Sequence, residues 1–350
     1  MVLKVTVPCD IVAWQDCTTK EIRRKGGLSL EFSLNQRAAE LIRREILPHQ
    51  EQLQVKAHHL SNGATVIDMG VHEKAGWRAG QLFTHTCLGG LGRLDFTTMW
   101  IGPHLVPAAT VTVDRPAVAE LSSHDAIFVL DYRGARITFS GPFRALGPFD
   151  DYAAKVPYRD EWRELAVAHL QTDELPDEAL TGLLADAIGI SPQNLCLLAA
   201  RTGTLSGAVQ VTARNVEQTF PTLVDRGFDV NCVVQAAASS PIIHGGDDEN
   251  MAYGRVNDCL IYGQETNLWV DCPDGDIQRI LPDLTFDKNT DIYGTPFEEL
   301  FARSGRSWAN VPRDWDAPCK VNFHNLRTGR TFSSGRLGYE VLEKSFLGSY

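Results

Sequence analysis

Arg214 and Glu217 stand three residues apart in the stretch AARTGTLSGAVQVTARNVEQTF, residues 199–220. On a helix that spacing makes two side chains neighbours, with Cβ atoms about 5–6 Å apart, so a guanidinium would lie beside a carboxylate. Two readings compete. On a solvated face the pair is an ordinary ion pair worth a few tenths of a kcal/mol. At the mouth of a glycine-rich loop it is a carboxylate whose protonation the guanidinium controls, a group that could take a proton from water. The element that must position the pair is legible. A small-residue loop (Thr202, Gly203, Thr204, Ser206, Gly207) leads into Val209, Ala213, Val216, Phe220 and Leu223, which recur at steps of four and three and mark one buried helical face. Gln210, Arg214 and Glu217 follow the same rhythm one position further round. Pro221 is expected to end or kink the helix just after the pair, since it has no N–H and crowds the preceding turn.

The bulk numbers narrow the class. With 350 residues, two domains are expected rather than one core. Hydrophobic residues at 43% and charged residues at 22% are ordinary for a globular protein. A net charge of −11 argues against general nucleic-acid binding. The eight cysteines form no C-x-x-C pair, so reduced core thiols are expected rather than a disulfide framework or a zinc knuckle. No signal-peptide pattern and no run of membrane-spanning length is visible, and a cytoplasmic location is expected.

Along the chain, residues 1–32 read as an N-terminal extension that includes a strand at 2–8. Ser33 is a plausible N-cap for a helix over 34–47 that stops at Pro48. Residues 55–69 read as a hairpin turning at Ser61-Asn62-Gly63. CLGGLG at 87–92, with Gly89 and Gly90, permits close backbone approach to a ligand or to a packed neighbour. No GxGxxG or Walker motif accompanies it. Strands are expected at 104–113, 125–139, 164–170 and 194–200, with helices near 116–122 and 176–188. Residues 239–249 read as a loop, CLIYG (259–263) and NLWVD as strand-like, and 321–332 as a hairpin turning at Thr328-Gly329. The alternation implies an α/β, or α+β layered, fold with a first α/β domain at 33–165 and a second at 166–350, the boundary being approximate and the domains not required to be continuous in sequence. The acids Asp247, Asp248 and Glu249 read as a solvated loop rather than a metal site.

In this order the pieces resemble the methenyltetrahydromethanopterin cyclohydrolase family. The resemblance rests on CLGGLG (87–92), SGP-x-RA (140–145), LSG-x-VQ-x-x-AR-x-VE (205–217), GFD-x-N (227–231), YGR-x-ND (253–258), YG-x-PF (293–297) and LRTGRTF (326–332). It implies hydrolysis of the methenyl bridge between N5 and N10 of a reduced methanopterin to the 5-formyl compound. It also implies two α/β domains with the active-site pocket between them, no metal or other cofactor, and a homotrimer. The family's catalytic Arg and Glu fall on Arg214 and Glu217. Glu217 is expected to be the general base for water, and Arg214 to orient and tune it. Candidate substrate-binding residues are Gln210, Gly89, Gly90, Ser140, Arg144, Thr204, Ser206, Arg255, Asn257 and Arg327. The arginines, with Arg330, would take the oxyanions of the pterin's tail, with surface ion pairing as the competing reading. Several segments depart from the family pattern: SPIIHGGDDENMAYGRVND (240–258), where His244 is displaced, His124–Phe128, His169-Leu170-Gln171-Thr172, Thr202-Gly203, and residues 1–32, which have no obvious counterpart. Two alternatives therefore stay open, a relative acting on another pterin or folate amidine and a non-catalytic pterin-binding protein.

Overall fold

A computed structural model describes residues 32–243, 246, 248–306 and 310–347. The strand expected at 2–8 and the rest of 1–31 lie outside the described residues. In chain order the helices are α1 (Leu34–Leu41), α2 (Gln50–Leu53), α3 (Trp77–Cys87), α4 (Pro116–Ala119), α5 (Glu178–Ile188), α6 (Leu205–Thr212), α7 (Thr219–Asp225), α8 (Glu249–Ile261), α9 (Asp274–Ile280), α10 (Phe297–Arg303) and α11 (Tyr339–Leu342). The strands are β1 (Lys56–His59), β2 (Thr65–Asp68), β3 (Gly92–Ile101), β4 (His104–Asp114), β5 (Phe128–Tyr132), β6 (Ala135–Ser140), β7 (Ala166–Gln171), β8 (Leu195–Ala200), β9 (Val233–Pro241), β10 (Glu265–Val270), β11 (Lys320–Asn325) and β12 (Thr331–Gly335).

They form two mixed six-stranded sheets in a two-domain α/β fold, ordered β1-β2-β8-β7-β6-β5 and β12-β11-β10-β9-β4-β3. Parallel pairing joins β2 to β8, β8 to β7 and β10 to β11; every other pair is antiparallel. Every residue of β8, LCLLAA, is buried. One face of the first sheet packs α1 and α3 through Ile67, Val167, Cys196 and Leu198. The opposite face packs α5 through Ala166, Ala168, Leu195 and Leu197. A strand covered on both sides must be apolar throughout. In the second sheet β10 and β11 alternate half-buried and buried residues, the pattern of a strand with one face on the core.

The two sheets are not consecutive in sequence. The chain builds the first sheet, crosses to the second for β3 and β4, returns for β5–β8, and crosses again after residue 200. Sheet membership therefore does not change at the expected 165/166 boundary: β6 and β8, on either side of it, both flank β7. Among the described residues no helix is long and apolar enough to cross a membrane.

Local expectations differ from the structure in four places. The helix from Ser33, whose hydroxyl accepts from the Gln36 amide at 2.9 Å, is α-helical only to Leu41 and continues as a π turn. The segment 125–139 is a hairpin rather than one strand, turning at Arg133 (φ 50°) and Gly134 (φ 81°), the paired positive φ of a tight hairpin. The loop expected at 239–249 begins as the end of β9. CLIYG closes α8 instead of forming a strand; a short apolar run carries no period of its own, and Asp248 caps this helix by accepting from Asn250 and Met251.

Candidate active site

The stripe Val209, Ala213, Val216, Phe220 and Leu223 is fully buried, packed on the second sheet with Val111, Ala238, Leu268 and Phe323. The element beneath it is not one helix. It breaks after Thr212 into a 3₁₀ turn, Ala213–Asn215, then a further turn, before α7 starts at Thr219. Pro221 accounts for the place of the break, but from within the first turn of α7 rather than by ending a helix. Lacking an N–H, it leaves the Glu217 carbonyl to the Phe220 amide at 3.0 Å.

The break aims consecutive side chains at different sheets. Arg214 Nη1 donates to the His124 carbonyl at 2.7 Å and Nη2 to Ser140 Oγ, at the end of β6, at 3.0 Å. Asn215 Nδ2 donates to the Ala109 carbonyl of β4 at 3.2 Å and to Ser240 Oγ of β9 at 3.1 Å. Arg214 and Glu217 do pair, Nη1 to Oε2 at 3.7 Å, with side chains only 14% and 13% exposed. A solvated surface ion pair is thereby excluded.

Burial pushes the Glu217 carboxyl well above the usual carboxylate range. The nearby Asp125 charge adds to this, Arg214 opposes it, and Asp316 raises it further. Asp316, itself raised by burial, accepts from Gln218 Nε2 at 2.8 Å and pairs with Arg313 at 3.7 Å. Behind Arg214 sits a second buried layer. His124 Nδ1 lies 2.9 Å from Glu120 Oε2, with burial raising the acid and lowering the imidazole, so burial favours the uncharged form of each. Cys87 Sγ lies 3.4 Å from Ser140 Oγ, and burial pushes its thiol up to about 11, which leaves it a poor nucleophile.

The structure brings Ser140 to Arg214 and leaves Gln210 Nε2 and Ser206 Oγ buried without a partner, donors a bound ligand could satisfy. The other expected ligands are engaged elsewhere. Gly89 and Gly90 take positive φ, and a Cβ on either would press into Leu34 or Arg37, so they serve the packing of α1. Thr204 caps α6 by accepting from the Gly207 amide. Arg144 is completely buried, paired with Asp150 at 2.6 Å and donating to the Asp125 carbonyl at 2.8 Å. Asn257 donates to the Tyr253 carbonyl within α8. Arg327 and Arg330 pair at the surface with Asp271 and Asp274. Asp248 caps α8, and Glu249 accepts from the Gly203 amide at 2.9 Å. Arg255, whose Nε is buried without a partner, lines a cavity of about 390 Å³ with Arg306 and Lys344, and neither Arg214 nor Glu217 lines it.

Asp125, Asp316, Glu120, His124 and Arg313 escaped the sequence reading as site residues. Gln218 meets Asp316 across 98 positions and Arg214 meets the His124 carbonyl across 90, and no local motif encodes such pairs.

A fold with two mixed sheets and a buried Arg–Glu pair at their seam is an arrangement suited to moving a water proton. The family model Cyclohydrolase (MCH) matches residues 33–346. The chain is 32% identical over 319 residues to the methenyltetrahydromethanopterin cyclohydrolase of Methanothermobacter marburgensis, covering 90% of this chain and 99% of that one. It is 33% identical over 326 residues to the Methanosarcina barkeri enzyme of the same name, covering 90% and 98%. Against the Methanococcus maripaludis enzyme of that name it is 33% identical over 307 residues, covering 86% and 94%. The chain belongs to the cyclohydrolase (MCH) family.

Proposed function

We propose that the chain hydrolyses the methenyl bridge of 5,10-methenyltetrahydromethanopterin to 5-formyltetrahydromethanopterin, with Glu217 as general base and Arg214 as the group that orients it. The observation that carries this reading is the buried Arg214–Glu217 pair, whose carboxyl burial pushes well above the usual carboxylate range. The substrate's amidinium carbon is already electrophilic, so the reaction needs a base and a positioned water rather than a Lewis acid. Glu217 takes a proton as water adds to the carbon, and its negative charge favours the cation. The neutral adduct collapses when N10 receives that proton, the C–N10 bond breaks, and the adduct's hydroxyl proton is released to solvent as the formyl C=O forms. Arg214, fixed by the His124 carbonyl and Ser140, keeps the carboxylate aimed. Gln210 and Ser206, with buried unpartnered polar atoms, are suited to hold the water or the pterin.

The chain works without a resident metal or cofactor, in the cytoplasm, as a homotrimer. The exposed apolar residues on β3 and β4, Phe96 (38%), Trp100 (61%) and Leu105 (54%), support an interface between copies. The test is spectrophotometric. Wild-type protein bleaches the methenyl chromophore, while Glu217→Gln binds the compound and turns it over at least ~10²-fold more slowly. A Gln variant as fast as wild type removes Glu217 as the base.

A further inference from the structure

We propose that Glu249 is a positioning residue for the pterin: from the first turn of α8 it holds the loop that opens α6, and so fixes where Ser206 and Gln210 meet the substrate. This rests on the function proposed above, with those two side chains taken as ligands of the pterin.

The helix period explains why an acid stands at that place. α8 packs on α6 through Val256 and Leu260, which meet Ala208 and Val211. Counting back from Val256 by four and then three gives Ala252, fully buried, and Glu249, so the acid continues the same stripe toward the helix start. There it meets backbone rather than a side chain. The Gly203 amide donates to both carboxylate oxygens, at 2.9 and 3.1 Å, and Arg201 Nε lies 3.5 Å from Oε1. An ionised acceptor makes this a stronger bond than a neutral one would be. Gly203 is required by space alone: its φ is not positive, and a Cβ there would lie 2.3 Å from Glu249 Oε1.

The rest of the loop is tied to the first sheet. The Arg201 amide donates to the Gly70 carbonyl, just after β2, at 3.1 Å, and Gln171, at the end of β7, donates to Thr202 Oγ1. α8 instead lies between β9 and β10 of the second sheet. Glu249 thus joins a loop of one sheet to a helix of the other. The loop in turn is locked to α6. Thr204 Oγ1 donates to the Arg201 carbonyl at 2.9 Å while accepting from the Gly207 amide at 3.2 Å. That carbonyl sits so close that a Cβ on Gly207 would lie 1.8 Å from its oxygen. Backbone packed this tightly cannot shift without taking the start of α6 with it. Ser206 lies in that first turn and Gln210 one turn on. Arg214 has its own anchors, the His124 carbonyl and Ser140, beyond the break after Thr212. Releasing Glu249 therefore displaces the groups that hold the pterin and spares those that move the proton.

The test uses full-length wild type, Glu249→Ala, Glu249→Gln and Gly203→Ala. In methenyl-bleaching assays Glu249→Ala is expected to raise KM roughly 10-fold while changing kcat less than about threefold. Gly203→Ala, which keeps the acid but pushes it off the amide, is expected to raise KM to a similar extent. Glu249→Gln retains an acceptor for the Gly203 amide and is expected to recover most of the loss. Amide hydrogen exchange over residues 201–207, read by mass spectrometry, is expected to be faster in Glu249→Ala than in wild type, a readout that needs no turnover. An unchanged KM in Glu249→Ala or in Gly203→Ala, or a kcat that falls as far as KM rises, overturns the positioning role and leaves Glu217 as base intact. Wild-type protein that fails to bleach the methenyl compound overturns both.

Discussion

An ionised carboxylate on Glu217 is opposed by burial and by Asp125 and Asp316, and favoured by Arg214. The folded protein therefore holds this proton to higher pH than the unfolded chain does. The stability it contributes is fully present below the ordinary carboxylate range and is lost as pH rises toward the raised folded value. Glu217→Gln removes that loss. Its melting temperature is expected to match wild type in acid and to exceed it increasingly as pH rises, even though turnover is gone. Thermal unfolding of both proteins across pH checks this, and a variant that melts lower at every pH would mean the pair serves stability. The same sign governs the rate: a base that must be ionised gives activity that climbs with pH through the raised value.

At the scale of elements, the apolar stripe was legible because its 3.6-residue period survives the break: Val209 to Leu223 all reach the core. The break itself was legible only as a proline effect, and Pro221 acts at the start of α7 rather than at the end of a helix. With Ala at 221 an N–H becomes available to the Glu217 carbonyl, and α7 can extend backward across the site. Pro221→Ala is expected to leave stability within about 1 kcal/mol of wild type while lowering kcat. Denaturant melts and the bleaching assay separate the two effects; unchanged kcat would mean that the break does not depend on the proline. Arg144 and the Gly89-Gly90 pair teach the complementary lesson. Their residue types suit ligand binding, yet burial and packing commit them to Asp150, the Asp125 carbonyl and α1, and a sequence does not reveal which demand is met.

Across the whole molecule, the site exists where two sheets meet. Asn215 ties the seam to β4 and β9, and replacing it by Ala removes the side-chain donor to the Ala109 carbonyl and to Ser240 Oγ, which keeps its own bond to the Thr212 carbonyl. That substitution is expected to cost about 1–3 kcal/mol, measured by chemical denaturation. Gly80 sets how closely α3 approaches α6: a Cβ there would lie 2.7 Å from Val209 Cβ and 2.9 Å from the Ser206 carbonyl. Gly80→Ala is expected to destabilise by about 1–3 kcal/mol and to raise KM, since Ser206 and Gln210 ride on α6. The α/β class was readable from the alternation of elements. The three passages between sheets were not, because strand partners such as β2 and β8 lie more than a hundred residues apart and their pairing leaves no local trace.

That chain order has a consequence for biosynthesis. The β3–β4 hairpin leaves the ribosome with one edge complete, but its partner β9 begins about 120 residues later. At 5–20 residues per second the hairpin waits on the order of 10 s with an unpaired edge, while β5–β8 of the first sheet are made. The nascent protein thus passes through a stage in which its longest ribbon is sticky and its chemistry does not yet exist, the stage at which a holdase would find most to grip.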